Sequence, residues 1–351
     1  MPMYGAANTS AKSSTGPIIA VGIVVVVVAI TGLVSTVAFT SGGGDSSVAE
    51  TGYTPEYEPA PHSGATDPPS TWSMPSTTTT TTTTRSTSST TSTSSSTSRS
   101  SETVAPPSGP EPVHKLADHP LFANADYGLQ NFACELPRWQ TNPSAAARFF
   151  RGAQQCLDKS WSTLLRALDL PFREPTLKFP SGRTWTSPCG THNADTGVAA
   201  FYCGSNETIY MPFEALQTQQ YGARPGVYLA LFAHEYAHHV QQLSGILETY
   251  ADAQYEVGAD SAKGLELSRR SELQAQCFSG MFLGSTTGQG GDVNQQIYRE
   301  AWNSQNRGDE HHSGPRDHGT SEHTRAWWQQ GATTNRTQKC NTWAAGSADV
   351  S

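Results

Sequence analysis

A run of 22 residues without a charge, Ile18 to Phe39, most constrains what this chain can fold into. Seventeen of the 22 residues are hydrophobic, and five consecutive valines form the centre of the run. As a helix with a rise of ~1.5 Å per residue it measures about 33 Å, which matches a hydrocarbon core of ~30 Å. The sequence therefore predicts a transmembrane helix over 18–39. The alternative is a cleaved signal peptide, although such peptides have a shorter apolar stretch and a small-x-small cleavage site.

The positive charges around this run predict its orientation. Lys12 precedes it, and no lysine or arginine follows until Arg85. Because positively charged flanks stay in the cytoplasm, we expect residues 1–17 to be a cytoplasmic leader and the rest of the chain to be exported. The predicted location is the cell membrane, with a single pass and an extracytoplasmic main domain.

Residues 40–112 have the composition of a disordered Pro/Ser/Thr-rich stalk. Between Ser76 and Ser101, 24 of 26 residues are serine or threonine. Such a segment cannot bury enough apolar surface to offset its chain entropy. Residues 113–351 remain as one ectodomain. The net charge of the whole chain is -8 and its pI is about 5.7, which argues against a nucleic-acid partner because such proteins show a basic patch.

Hydrophobic periodicity predicts a mostly helical α+β ectodomain. Spacings of three and four residues indicate five helices, and short runs rich in β-branched and aromatic residues indicate a small sheet. The first helix begins at the Asn142-Pro143 cap. The other predicted helices are Gly226–Leu243 (ended by Gly245), Ser268–Leu283, Val293–Gln305 and Ser321–Gln330 (ended by Gly331), and the β-prone runs are Leu177–Phe179, Ala199–Tyr202 and Thr208–Met211.

The strongest predicted helix contains His234-Glu235-Tyr236-Ala237-His238. Residues four apart share a helix face, so the two imidazoles can bind one ion, and zinc suits paired nitrogen ligands. Glu235 is placed to take a proton from a zinc-activated water and to give it to the leaving amine. The alternative is a surface helix whose histidines face solvent. His239 points about 100° away from His238, so we expect it to pack or to support the site.

A catalytic zinc site needs a third protein ligand. Spacing alone does not choose among the carboxylates that follow the helix. Glu272 lies in a segment with an apolar helical face, where a charged residue needs a partner such as a metal ion. The candidates are Glu248, Asp252, Glu256, Asp260, Glu266 and Glu272.

Two segments together resemble the bacterial neutral zinc metallopeptidase family: His234-Glu-Tyr-Ala-His-His-Val-Gln241 and Glu272-Leu-Gln-Ala-Gln-Cys-Phe278. The resemblance covers roughly 121–343 and does not extend to the predicted transmembrane helix or stalk. It implies a zincin-like metallopeptidase fold, Zn²⁺ bound by His234, His238 and Glu272, and Glu235 as the catalytic residue. Further matches are Cys189-Gly190, Phe201-Tyr202-Cys203, Ile209-Tyr210-Met211 and His318-Gly319-Thr320-Ser321.

One position departs from the family pattern. The family usually has aspartate four residues after the ligand glutamate, where this chain has Gln276. An acidic group beside a ligand histidine orients it, and its loss typically costs 10–100-fold in metal affinity or activity. Reduced activity, or a zinc protein without catalysis, is therefore an open alternative, against which the intact Glu235 argues.

Two further features bear on catalysis. His318 lies just ahead of the last helix, where it either donates a hydrogen bond to the developing oxyanion or is an ordinary loop histidine. The run Glu207 to Met211 is either the sheet edge along which an extended peptide pairs or an internal strand.

Six cysteines in an exported chain predict three disulfides. Cys189 and Cys203 flank two neighbouring β-prone runs, and Cys134 lies just ahead of the helix that carries Cys156. Cys277 then pairs with Cys340. Zinc binding by cysteines is the weaker alternative because the sequence has no C-x₂-C pair.

The leading functional hypothesis is a membrane-anchored, extracytoplasmic zinc metallopeptidase whose partner is a peptide or protein substrate in the cell envelope. The second is a non-catalytic binding or scaffolding ectodomain that zinc stabilises, which Gln276 and the long stalk motivate. A third is the same zinc chemistry on cell-wall peptide or another amide.

Overall fold

The computed structural model describes residues 109–351 except 197, 312 and 313. The predicted leader, the predicted transmembrane helix and residues 40–108 of the predicted stalk lie outside the described residues. Within the described part, none of the helices is long and apolar enough to cross a membrane.

The described domain is mostly helical with two small sheets, which confirms the predicted α+β class. The five predicted helices and the three β-prone runs are all present. The sequence patterns did not predict the short helix at 218–221, the helix at 246–257 or the hairpin of two strands at 184–193. The helices are α1 (Pro143–Ala167), α2 (Thr218–Tyr221), α3 (Pro225–Ser244), α4 (Ile246–Val257), α5 (Ala262–Thr286), α6 (Gln295–Asn303) and α7 (Ser321–Thr334). The strands are β1 (Thr176–Lys178), β2 (Thr184–Ser187), β3 (Gly190–Asn193), β4 (Phe201–Cys203) and β5 (Thr208–Tyr210).

Helix α3 lies at the centre of the domain. Eighteen of its 20 residues are buried, because α1, α4, α5, α6 and β4 all pack against it. It begins with Pro225 in its first turn and ends at Gly245, whose φ of +90° confirms the predicted glycine stop. A helix buried on every side places its polar residues inside the protein, where they need partners.

Helix α7 corrects one prediction. It continues past Gly331 to Thr334 and ends at Asn335, which has a φ of +47°. Gly331 instead permits close packing, because a Cβ atom there would lie 1.9 Å from the carbonyl oxygen of Cys277 on α5. Gly280 on α5 packs in the same way against α7. The backbones of α5 and α7 therefore lie in direct contact at these two glycines.

The three-stranded sheet has the order β1-β5-β4. β5 pairs parallel with β1, in the register Leu177↔Ile209, and antiparallel with β4, in the register Phe201↔Tyr210. Residues 208–210 are therefore an internal strand, so of the two alternatives for the run Glu207 to Met211 the internal strand is the one that forms. β4 is the edge strand that lies beside α3.

All three predicted disulfides are confirmed, with Cα–Cα distances of 5.7 Å for Cys134–Cys156, 5.8 Å for Cys189–Cys203 and 5.5 Å for Cys277–Cys340. Every described cysteine is thus oxidised and takes no part in metal binding. Cys277–Cys340 ties α5 to the short 3₁₀-helix Thr337–Cys340 near the end of the chain.

Candidate active site

Helices α3 and α5 bring three of the predicted site residues together. Nε2 of His234 lies 3.1 Å from Nε2 of His238, and Oε2 of Glu272 lies 3.2 Å and 3.6 Å from these two nitrogens. All three side chains are buried. Two imidazole nitrogens and a carboxylate oxygen that converge out of water are a group able to hold a metal ion.

Gln241, one helical turn after His238, decides which nitrogen of that histidine faces the cluster. Its Oε1 lies 2.8 Å from Nδ1 of His238, while its Nε2 donates to the carbonyl oxygen of Ser271 and to Oε1 of Gln274. Because the amide nitrogen is used elsewhere, Oε1 must accept and Nδ1 of His238 must carry the proton. In the neutral ring, which is the form that binds a metal, Nε2 of His238 is then the unprotonated nitrogen and presents its lone pair to the cluster.

His234 lacks an equivalent partner. Among the described residues, nothing hydrogen-bonds its buried Nδ1. Ser279 bonds to Ala230 and Gln241 bonds to Ser271, so α3 and α5 run antiparallel and Gln276 lies level with His234. This is the position at which the resembling family usually has aspartate. The glutamine here does not take over the orienting contact.

Glu235 is fully buried beside the cluster, and neither of its carboxylate oxygens has a hydrogen-bond partner among the described residues. Burial raises the pKa of Glu235 to about 8. The backbone N–H of Tyr202 on the edge strand β4 approaches the carboxyl group and counteracts part of that rise. Glu235 can therefore both hold and release a proton near neutral pH.

His318 stands on the other side of Glu272, with 4.0 Å between Nε2 and Oε2. Its Nδ1 lies 2.7 Å from Oδ1 of Asp317 and 3.8 Å from Oδ1 of Asp309. Burial alone would lower the pKa of His318, but the charges of Glu272 and Asp317 raise it to about 9. Burial alone would raise the pKa of Glu272, but the positive charges of His238 and His318 outweigh it and hold that pKa well below its usual value.

The comparisons with known proteins agree with this geometry. The family model described as "Putative neutral zinc metallopeptidase" matches residues 137–343, which is more than half of the chain. The chain belongs to this family. The matched range contains the whole cluster of His234, His238, Glu272, Glu235 and His318.

Relatives of this chain occur in Escherichia coli and in Mycobacterium tuberculosis. "Uncharacterized protein YpfJ" of Escherichia coli is 28% identical over 213 residues, which cover 57% of this chain and 72% of that protein. "Uncharacterized protein Rv2575" of Mycobacterium tuberculosis is 34% identical over 131 residues, 36% of this chain and 40% of that protein. No solved structure matches the chain.

Because the chain belongs to a zinc metallopeptidase family, its cofactor is Zn²⁺. The described side chains fit that ion. Ligand atoms about 2.05 Å from a tetrahedral zinc lie about 3.3 Å apart, and the three separations found among His234, His238 and Glu272 are 3.1, 3.2 and 3.6 Å. Oε2 of Glu272 also lacks a hydrogen-bond donor among the described residues, as expected for an oxygen that serves a cation.

His239 behaves as predicted, because it points away from the cluster. The Tyr202 hydroxyl lies 3.0 Å from its Nδ1, and its Nε2 lies 2.8 Å from the carbonyl oxygen of Arg173. Burial lowers the pKa of His239 to about 4, so the ring is neutral. It fastens the edge strand β4 to the helix that carries the cluster.

Sequence reasoning missed several residues of the site. Gln241 follows His238 by three positions and Asp317 directly precedes His318, so helix periodicity and adjacency were signals for both. Tyr202 lies in the family-matching segment Phe201-Tyr202-Cys203, but its approach to Glu235 depends on the packing of β4. Arg307 had no signal, since only the packing of the loop after α6 brings it near Glu235.

Proposed function

We propose that residues 113–351 hydrolyse peptide bonds in a zinc-dependent reaction. The observation that carries the proposal is the buried carboxyl group of Glu235, which has no hydrogen-bond partner among the described residues and lies beside the convergent atoms of His234, His238 and Glu272. A structural zinc site is closed by four protein ligands, whereas a catalytic site has three and keeps an open position next to a proton acceptor.

In this proposal His234, His238 and Glu272 bind the metal, and Gln241 fixes His238 for that task. Bound zinc supplies Lewis acidity, which lowers the pKa of water and polarises the peptide carbonyl. The neutral state of His234 supports its role, because burial lowers its pKa to about 4 and leaves a lone pair available.

Glu235 moves the proton. Hydrolysis consumes one water: its hydroxyl forms the new bond to the carbonyl carbon while its proton passes to a carboxylate oxygen of Glu235. As the carbon–nitrogen bond breaks, the proton is transferred to the departing amine nitrogen, and Glu235 is again a carboxylate. A pKa raised to about 8 by burial suits a group that must both accept and donate at neutral pH.

His318 binds the oxygen of the reacting carbonyl. Asp317 accepts from Nδ1 at 2.7 Å, so the ring is held with Nε2 directed to the side of Glu272. An imidazolium there donates a hydrogen bond to the negative charge that develops on the carbonyl oxygen. Asp317 acts as a positioning residue for this donor.

The substrate chain pairs along β4 in this proposal. The support is that β4 is an edge strand of its sheet, and that the backbone N–H of Tyr202 within it approaches Glu235 while the Tyr202 hydroxyl lies 3.0 Å from Nδ1 of His239. An extended peptide gains main-chain hydrogen bonds at such an edge, which aligns the bond to be cleaved with the proton acceptor.

The proposed setting is the outer side of a cell membrane, with a peptide or protein of the cell envelope as the substrate and Ile18–Phe39 as the transmembrane anchor. The apolar run and the charge distribution of the sequence support the anchor. Three disulfides support export, since they persist in oxidising compartments.

The test uses the full-length protein with added zinc, an internally quenched peptide library, and Glu235→Gln. We expect one zinc per chain, cleavage by the wild type, and a loss of about 100- to 10,000-fold in kcat for the variant with zinc retained. Glu248→Gln, an exposed acid on α4, is the matched control and is expected to keep full activity.

Equal activity of Glu235→Gln and the wild type would refute the mechanism. The alternative function, a zinc-stabilised binding domain, predicts that no peptide is cleaved and that a chelator unfolds the domain. That pair of results would replace the peptidase proposal.

A further inference from the structure

Arg307 lies beside the proposed catalytic groups and takes no part in the mechanism above. It belongs to the loop after α6, which continues to Asp309, whose carboxylate accepts the backbone N–H of His318. The loop thus reaches the histidine that stands 4.0 Å from Glu272. Burial dominates the pKa of Glu235, but the positive charge of Arg307 is close enough to counteract part of that rise.

The guanidinium group of Arg307 is anchored on one side only. Nε donates to the carbonyl oxygen of Ser304 at 2.9 Å, and Nη2 reaches the Ser304 hydroxyl at 3.4 Å. Among the described residues, Nη1 has no hydrogen-bond partner, and no carboxylate oxygen lies within 4.0 Å of the group. The residue is partly exposed.

Arginines with and without a carboxylate partner both occur among the described residues. Arg173 pairs with Glu207, Arg183 with Asp195, and Arg270 with Glu266. Arg307 is less exposed than the first two of these arginines, yet no carboxylate oxygen of the described residues forms an ion pair with it.

Removing a guanidinium from water is costly unless a carboxylate or similar group compensates it. Burial accordingly lowers the pKa of Arg307. Asp309 is the nearest acid along the chain, but backbone N–H groups of His318 and Gly319 occupy its two oxygens. The planar fork of arginine is best matched by a carboxylate, which can accept two hydrogen bonds at once.

We propose that Arg307 binds a carboxylate of the substrate, so that the protein selects peptides with an acidic side chain or a free carboxyl terminus beside the bond to be cleaved. The inference rests on the proposed peptidase function and names the substrate class of that site. An acidic side chain and a free carboxyl terminus both present a carboxylate, and the experiment distinguishes the two.

The experiment compares full-length wild type, Arg307→Gln and Arg307→Lys. The substrates are quenched peptides that differ only by Glu or Gln at each position around the cleaved bond, and peptides with a free or an amidated carboxyl terminus. We expect the wild type to prefer the matching acid by about 10- to 100-fold in kcat/KM, and Arg307→Gln to reduce that ratio to about 1. Arg307→Lys should keep part of the preference. Arg299→Gln, an exposed arginine on the neighbouring α6, should keep all of it.

The two proposals fail in different ways. Cleavage without any preference for acids, or a preference that Arg307→Gln keeps, would overturn the carboxylate site and leave the peptidase intact. If no peptide is cleaved, the peptidase proposal is wrong, and fluorescence anisotropy of the same labelled peptides then decides the site. Equal binding of acid and amide forms by the wild type would overturn it, and acid-selective binding that Arg307→Gln abolishes would support it.

Discussion

Replacing Gln241 by leucine should weaken zinc binding without touching a metal ligand. In the wild type, Oε1 of Gln241 accepts the proton of His238 Nδ1 at 2.8 Å, and both residues are fully buried. Leucine has a similar volume but accepts nothing. Nδ1–H of His238 would then be a buried donor without a partner, and its ring could rotate away from the cluster.

The structure sets the size of the effect. A buried donor that loses its acceptor costs about 1–3 kcal/mol. When Nε2 of His238 binds zinc, Nδ1–H becomes a stronger donor, so much of that cost falls on the zinc-bound state. We therefore expect zinc affinity to fall about 10–100-fold, which corresponds to about 1.4–2.7 kcal/mol. Gln241 also donates to Ser271 and Gln274, so the metal-free variant should lose some stability as well.

The assay is a zinc titration against a chromophoric chelator, with Gln274→Leu as the control. That control removes the Gln241–Gln274 hydrogen bond between α3 and α5 but leaves the acceptor of His238 in place. We expect it to lower the free energy of unfolding and to keep the zinc affinity of the wild type. Equal zinc affinities in all three proteins, or equal losses in both variants, would refute the orienting role of Gln241.

Three other substitutions test the site and the fold. Gln276→Asp adds a carboxylate level with His234 and should raise the zinc affinity about 10-fold in the same titration. An unchanged affinity would contradict the placement of residue 276 beside His234. Gly331→Ala places a Cβ atom 1.9 Å from the α5 backbone and should lower the free energy of unfolding in urea by about 1–3 kcal/mol. Gly109→Ala is the control, because its Cβ atom would have nothing within 4 Å and the free energy of unfolding should change little. Burial raises the pKa of Asp158 from 3.8 to about 7, so its protonated form stabilises the fold at low pH and this contribution is lost as the pH rises towards 7. Asp158→Asn should gain stability relative to wild type by up to about 1.4 kcal/mol per pH unit in that window, and a constant difference between pH 5 and 7.5 would argue against it.

Features encoded by local spacing were predictable from the sequence. The Asn142 cap, the Gly245 stop and the shared face of His234 and His238 depend on residues within one or two helical turns. The disulfide pairs followed because two of the three join short-range neighbours and leave one remaining pair. Such features depend on few distant contacts.

Sequence reasoning led to a wrong prediction or left two alternatives open where a residue's role depends on a distant backbone. Gly331 has the sequence signature of a helix stop, but the approach of α5 keeps it inside α7. Residues 207–211 have the pattern of a strand, and only the parallel pairing of β1 shows that this strand is internal. A periodic pattern predicts which element forms, but it does not predict which other elements pack beside it.

By itself, the sequence determined that two histidines share one helix face with Glu235 between them, because the α-helix repeats every 3.6 residues whatever surrounds it. It did not choose Glu272 from six carboxylates on spacing alone. Only the tertiary structure decided that choice, because the antiparallel packing of α3 and α5 brings Oε2 of Glu272 to 3.2 Å and 3.6 Å from the two imidazole nitrogens. The same packing fixes the amide nitrogen of Gln241 on Ser271 and Gln274, and the loop after α6 brings Arg307 near Glu235. These are contacts between residues far apart in the chain, and no local periodicity encodes them.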